Sequence, residues 1–257
     1  MTRFPRPFLL ALLFAAAAPT HAATVVPLND TGQSLCYDSA GATVTCTTTG
    51  ADDGRYGRDA ANTAGQISKT GAGTKGFDFT KIANDGSVLA AGVALGSNPT
   101  EWACTRDNVT GLTWEVKTDD NGLRDKNHTY TWYSTNGASN GGNEGTANGG
   151  TCTGSTCDTE SFVNAVNAGA GLCGATDWRL PSLRELQSLV DFSVPATGVA
   201  PTIDATYFPN TQINWFWSAN NYSSIPAAAW LVVFFDGSSV AGGKPVNGYV
   251  RLVRGGQ

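Results

Sequence analysis

The run Trp178-Arg179-Leu180-Pro181-Ser182-Leu183-Arg184-Glu185-Leu186-Gln187-Ser188-Leu189-Val190-Asp191-Phe192 constrains this chain more than any other stretch. Pro181 lacks the amide hydrogen a helix interior needs and pushes the residue before it toward extended backbone. Ser182 followed by Glu185 has the spacing of a capping box, in which two side chains satisfy helix-start amides reciprocally. Leu183, Leu186, Leu189 and Val190 then recur at helical intervals and predict an apolar stripe about two turns long. A tryptophan just upstream of a capped, one-sided helix suits the junction of strands and helix in an α+β core.

Residues 1–22 have the three parts of a secretory signal: Arg3 and Arg6, an apolar core from Phe8 to Ala18, and the small-residue site Thr20-His21-Ala22. That core is too short to span a bilayer, and no later apolar run could anchor the chain. The expected product is exported, whether periplasmic, secreted or on the cell surface. Without Arg3 and Arg6 the 16 basic residues fall to 14, against 21 acidic ones. Phosphate binding needs clustered Lys and Arg, so the balance argues against nucleic acid and lowers the case for a highly sulfated glycan. All six cysteines lie in the exported part, where an even number favours disulfides over zinc or redox chemistry. Local spacing favours Cys36–Cys46 and Cys152–Cys157, which leaves Cys104–Cys173.

Residues 23–100 form a Gly/Ala/Thr-rich extension, with a small hairpin around Cys36–Cys46. Residues 51–76 show no periodicity and are expected to be loop or loosely packed. Gly76–Ile82 alternates and predicts a strand. The composition changes at residues 101–257, where aromatics recur. Leu112–Val116 alternates like a half-buried strand, and Tyr130–Tyr133 reads as a short extended piece. Residues 134–156 are mostly Ser, Thr, Asn and Gly and read as a long surface loop. Asp158 caps a helix carrying Phe162, Val163 and Val166, which Gly169 ends. Trp215–Ser218, Trp230–Phe235 and Tyr249–Val253 are strand-like. Helices followed by an antiparallel sheet with long loops define the class as α+β.

Asn108-Val109-Thr110-Gly111-Leu112-Thr113-Trp114-Glu115, Asp177-Trp178-Arg179-Leu180-Pro181-Ser182, Tyr207-Phe208-Pro209, Phe216-Trp217-Ser218, Ala229-Trp230 and Val250-Arg251-Leu252-Val253-Arg254 occur in that order. As an ordered set they resemble a bacterial domain family, long of unknown function, that also forms the C-terminal domain of a collagen-like adhesin. The resemblance spans about residues 101–257. It implies a C-type-lectin-like fold of the kind shared with formylglycine-generating enzymes and phage tropism determinants. It also implies a C-terminal segment of the sort that a diversity-generating retroelement rewrites. On that reading Leu231, Val233, Phe235, Asp236, Ser238, Gly242, Gly243, Asn247 and Gly248 would vary over a scaffold of Trp217, Trp230, Phe234, Val250 and Leu252.

The chemistry on offer is sparse. His128 is the one histidine after the signal and sits in a polar run that reads as surface, with no nucleophile placed beside it. Formylglycine-type enzymes use cysteines late in the fold, whereas the last here is Cys173. The expectation is a protein that is not an enzyme and carries no cofactor. Asp119, Asn121 and Asp125 surround a Gly turn with oxygen ligands that a structural calcium would accept, but the closing Glu of an EF-hand loop is absent; a solvated acidic turn is the other reading. Trp114, Trp178 and Trp230 are expected in the core, and Arg179 is expected to bond carbonyls. Asn220, Asn221 and Tyr222 and the loop Gly237–Gly243 flank a strand that is apolar on both faces. Its Leu231-Val233-Phe235 face, if exposed among Asn, Tyr, Ser and Gly, has the composition of a recognition surface; otherwise the sheet is buried on both sides. The reading is a binder of a surface protein or glycan, with no membrane span and with an oligomer compatible. The alternatives are an envelope enzyme of formylglycine-generating type and a structural envelope subunit.

Overall fold

The computed structural model describes residues 29–46 and 52–255, so the signal-peptide reading of residues 1–22 lies outside the described residues. In chain order the elements begin with β1 (Cys36–Tyr37), β2 (Thr43–Val44), α1 (Asp53–Tyr56) and α2 (Arg58–Thr63). Next come β3 (Phe79–Ala83), β4 (Trp102–Asp107), β5 (Thr113–Glu115), α3 (Thr159–Asn167) and α4 (Leu183–Gln187). The chain finishes with β6 (Trp215–Asn221), β7 (Ala228–Val233), β8 (Ser239–Gly243) and β9 (Val253–Arg254). The named strands pair antiparallel in three sheets, β1-β2, β3-β4-β5-β9 and β6-β7-β8, an α+β architecture rich in sheet.

Helix α4 starts as its sequence demands. The Ser182 hydroxyl accepts from the Glu185 amide at 3.3 Å, and the Glu185 carboxylate accepts from the Ser182 amide at 2.7 Å. The helix is shorter than its apolar stripe: it stops at Gln187, and Leu189 and Val190 reach the core from the turn that follows. Helix α3 is capped by Asp158, whose side chain accepts from the Ser161 amide at 2.8 Å, and buries Phe162 and Val166.

One expectation about the N-terminal segment is corrected. Residues 51–76, expected to be loop, contain α1 and α2. The start of α2 is held from a distance: the buried Asp30 carboxylate accepts from the Arg58 amide at 2.9 Å, a contact invisible to local periodicity. Strand β3, from the same N-terminal segment, pairs along β4 from Phe79↔Asp107 to Ile82↔Cys104. Phe77 and Phe79 stack at 5.5 Å between ring centroids, and Phe79 meets Phe208 edge-on at 5.2 Å. Strand β5, expected to be half-buried, is buried on both faces, since Trp114 packs into the apolar interior on one side and Glu115 meets the buried Lys117 on the other.

All three expected disulfides are present: Cys36–Cys46, Cys104–Cys173 and Cys152–Cys157. Two apolar clusters fill the interior. One gathers Tyr130, Trp132, Phe162, Trp178, Trp217 and Leu231 around Cys104 and Cys173. The other gathers Phe79, Trp114, Leu186, Phe208, Phe216, Val232 and Phe234. The C-terminal sheet therefore lies between them, with Trp217 and Leu231 on one side and Phe216 and Val232 on the other.

Candidate functional site

Register decides which candidate residues meet. Trp215 pairs with Val233, Trp217 with Leu231 and Asn221 with Ala229; on the other flank Leu231 pairs with Val240 and Ala228 with Gly243. Asn220, Asn221, Tyr222 and Gly243 thus lie at one end of the sheet. Val233, Phe235, Asp236 and Ser238 lie at the other, on the β7–β8 hairpin tip. Asn247 joins this second group, since its carbonyl accepts from the Trp215 indole at 3.1 Å.

Two of the candidates, Leu231 and Gly248, are buried, and a third, Gly242, is half-buried with no room for a side chain. Leu231 is fully buried, because Trp217 lies beside it on a face that the first cluster covers. At Gly248 an added Cβ would come within 2.8 Å of the Trp217 indole nitrogen, and at Gly242 within 2.4 Å of a Leu231 methyl. Both glycines are there because neighbouring side chains occupy the space of a side chain. Val233 is half-buried, while Phe235, Asp236, Gly243, Asn247 and Asn220 are exposed. Trp230, expected in the core, is only half-buried and meets Tyr222 edge-on at 5.1 Å. Trp114 and Trp178 are buried as expected. Arg179 bonds the carbonyls of Leu180 and Gly255 and in addition grips Glu185 through two bonds of 2.9 and 2.7 Å. Trp215, one of the tryptophans whose ring face could stack on a sugar, is exposed, as are the apolar Val240 and Val246. Val240 lies in a run with the composition of a loop that is in fact strand β8.

The Asn220 end opens into a trough. Asn220 Oδ1 accepts from the Leu183 amide at 2.7 Å, tying β6 to the start of α4, and Asn221 Nδ2 donates to the Ser139 carbonyl. Between these anchors lies a hollow of about 540 Å³ whose walls include Tyr133, Ser134, Asn136, Glu160, Val163 and Asn220. A second hollow of about 240 Å³ reaches Arg184, Asn221 and Trp230 and shares Ser182 and Asn220 with the first. The Glu160 carboxylate accepts from the amide and hydroxyl of Thr135 at 2.6 and 2.7 Å, which orients the far wall. Lys244 holds that wall from behind: its ammonium donates to the carbonyls of Asn140 and Asn143 at 2.8 and 2.5 Å and sits 4.1 Å from the Trp132 ring centroid. Such a trough offers hydroxyl, amide and carboxylate partners beside aromatic edges, the means by which polar ligands are oriented.

The calcium candidates do not converge. Asp125 is buried, and its two oxygens accept from the amides of Asp120, Asn121 and Asn127 at 2.7–2.9 Å. Burial works against its charge, but these amides outweigh it and hold the carboxyl below its usual range. Asp119 turns away to Lys126 at 2.6 Å, and Asn121 contributes backbone at a positive φ of 56°. Among the described residues no group of three or more His, Cys, Asp or Glu could hold a metal ion. His128, expected at the surface, is buried by the same turn, with Nδ1 3.4 Å from the Leu123 carbonyl.

No helix among the described residues is long and apolar enough to cross a membrane. No curated protein and no solved structure matches the chain. The family model described as the Lcl C-terminal domain matches residues 103–254, which takes in β4 except Trp102, β5 through β9, the trough and both ends of the C-terminal sheet. The chain belongs to the Lcl C-terminal domain family, a bacterial domain found at the C-terminus of adhesin-like proteins.

Proposed function

We propose that this protein is an exported, C-type-lectin-like domain that works by binding, not catalysis, and recognises a surface protein or glycan through the Asn220 end of its C-terminal sheet. The trough carries this reading: it sets hydroxyls, amides and a pinned carboxylate beside Tyr133 and Trp230 on a disulfide-bonded frame. Helices α3 and α4, the antiparallel sheets and the long loops support the lectin-like subtype. The six cysteines are all bonded, which supports an oxidising compartment and leaves no thiol for nucleophilic work. Tyr222, half-buried at the trough's end beside Trp230, has the character of an anchor residue. Glycan and protein arrays probed with the full chain are expected to return a ligand whose affinity falls about tenfold in Tyr222→Ala and in Asn136→Ala, with unchanged melting temperature. Empty arrays, or a ligand that both variants retain, would count against the reading and favour a structural envelope subunit.

The finer reading, a segment rewritten by a retroelement, is favoured by one observation. Phe235, Asp236, Ser238 and Asn247 stand over a scaffold of Trp217, Phe234, Val250 and Leu252 that is wholly buried, so their side chains can change while the core stays. Resequencing the locus in many sister isolates should show substitutions gathered at those four positions and at Asn220–Tyr222 and Gly243. Leu231, Gly242 and Gly248 should stay fixed for the packing reasons given above. Even scatter across both groups would end the idea.

A further inference from the structure

Strand β8 is an open edge. The Lys244 amide donates to the Ala227 carbonyl and the Val233 amide to the Ser238 carbonyl, each at 2.9 Å. In an antiparallel ladder bonded pairs recur every second residue, so 231/240 and 229/242 are bonded as well. Ser239, Ala241 and Gly243 therefore aim their N–H and C=O groups away from β7. Among the described residues only the Val246 amide answers them, at the Gly243 carbonyl. Natural sheets blunt such edges with lysine, proline or bulges. Here the strand reads Ser-Val-Ala-Gly-Gly, and the nearby Lys244 is turned inward to Asn140 and Asn143.

We infer that β8 pairs antiparallel with β8 of a second copy of this chain, about a two-fold axis through Ala241. The edge is self-complementary in that register. Ala241 faces Ala241 of the other copy and Ser239 faces Gly243, so every outward-pointing residue finds a partner with matching donors and acceptors; the Gly243 carbonyl has a second lone pair for this bond. On the neighbouring positions the exposed Val240 side chain lies beside Gly242 of the second copy, which has no side chain of its own, and meets the Leu231 methyl that fills the space there. No charged residue stands on Ser239–Gly243, so an acidic chain with formal net charge −5 brings no like charges together along the paired strands. The two three-stranded sheets become one of six strands, with Trp215, Val233 and Val240 of each copy on a common face. This pairing does not depend on the trough's being a ligand site.

Antiparallel bonded pairs hold Cα atoms about 5.5 Å apart, within disulfide reach. Ala241→Cys is therefore expected to give a covalent dimer on mild oxidation, while the equally exposed Asp236→Cys remains monomeric. In sedimentation of the unmodified chain the mass should double with rising concentration. Ala241→Pro, which removes an outward amide and no bond to β7, should abolish the doubling without lowering the melting temperature. A chain that stays monomeric throughout its soluble range overturns the inference, as does a dimer that survives in a folded Ala241→Pro. Should that variant fail to fold, the two cysteine variants decide: equal cross-linking at 241 and 236 overturns it.

Discussion

Removing the Cys104–Cys173 bridge by a double alanine substitution is expected to lower the stability of the fold by about 4 kcal/mol. The bridge joins residues 69 apart in sequence, and in the chain-entropy account the cost of leaving a loop open grows with its length. Both cysteines also lie inside the cluster that holds Trp178, Phe162 and Trp217. The Cys152–Cys157 bridge spans only 5 residues, and its double alanine variant should cost about 2 kcal/mol. Urea unfolding of the two variants beside the unmodified chain checks the order as well as the size. Equal losses would show that loop closure is not what the long bridge supplies.

Glu115→Gln should be comparably damaging, at about 3–5 kcal/mol, although it changes one atom. Glu115 is wholly buried on β5; one carboxylate oxygen accepts from the Lys117 ammonium at 2.9 Å and the other from the Leu252 amide at 2.9 Å. Arg251 is buried beside it, bonded to the Glu115 carbonyl at 2.6 Å and to the Thr211 hydroxyl at 2.8 Å. Burial lowers the pKa of Lys117, with Glu115 pulling the other way, and pushes Arg251 down to about 10. Both cations therefore depend on one carboxylate for compensation, and glutamine leaves them without it. The double variant Glu115→Gln/Lys117→Met should recover part of the loss, which a chemical denaturation series would read directly. A single variant within about 1 kcal/mol of the unmodified chain would mean that the cluster is solvated like a surface pair.

Features with local causes were legible in the sequence. The capping box at Ser182 and the Asp158 cap are made by residues three apart, and both form. The β6 and β7 strands announce themselves by their aromatic and β-branched residues. What local pattern cannot supply is the partner. Leu231 and Phe235 look alike in sequence, yet one sits against Trp217 and the other projects from a hairpin tip. Ser239–Gly243 has neither bulk nor alternation and becomes a strand only because β7 lies alongside. The trough is made of Tyr133, Glu160 and Asn220 from three distant segments, so no spacing rule could gather them. The inward Lys244 and the Glu115–Lys117 pair are charged residues whose burial depends on contacts more than one element away.

Strand β3 carries a lesson about portability. The family match begins at Ala103, but β4 from that point on is an inner strand whose outer partner, with Phe77 and Phe79, comes from upstream. A fragment cut at the family boundary would bare one flank of β4 and uncover the ring of Phe208. The self-sufficient folding unit of this chain is thus longer than its family signature: a fragment meant to stand alone must carry Phe77 to Ala83 as well, so that β4 has its outer partner and Phe208 its neighbouring ring.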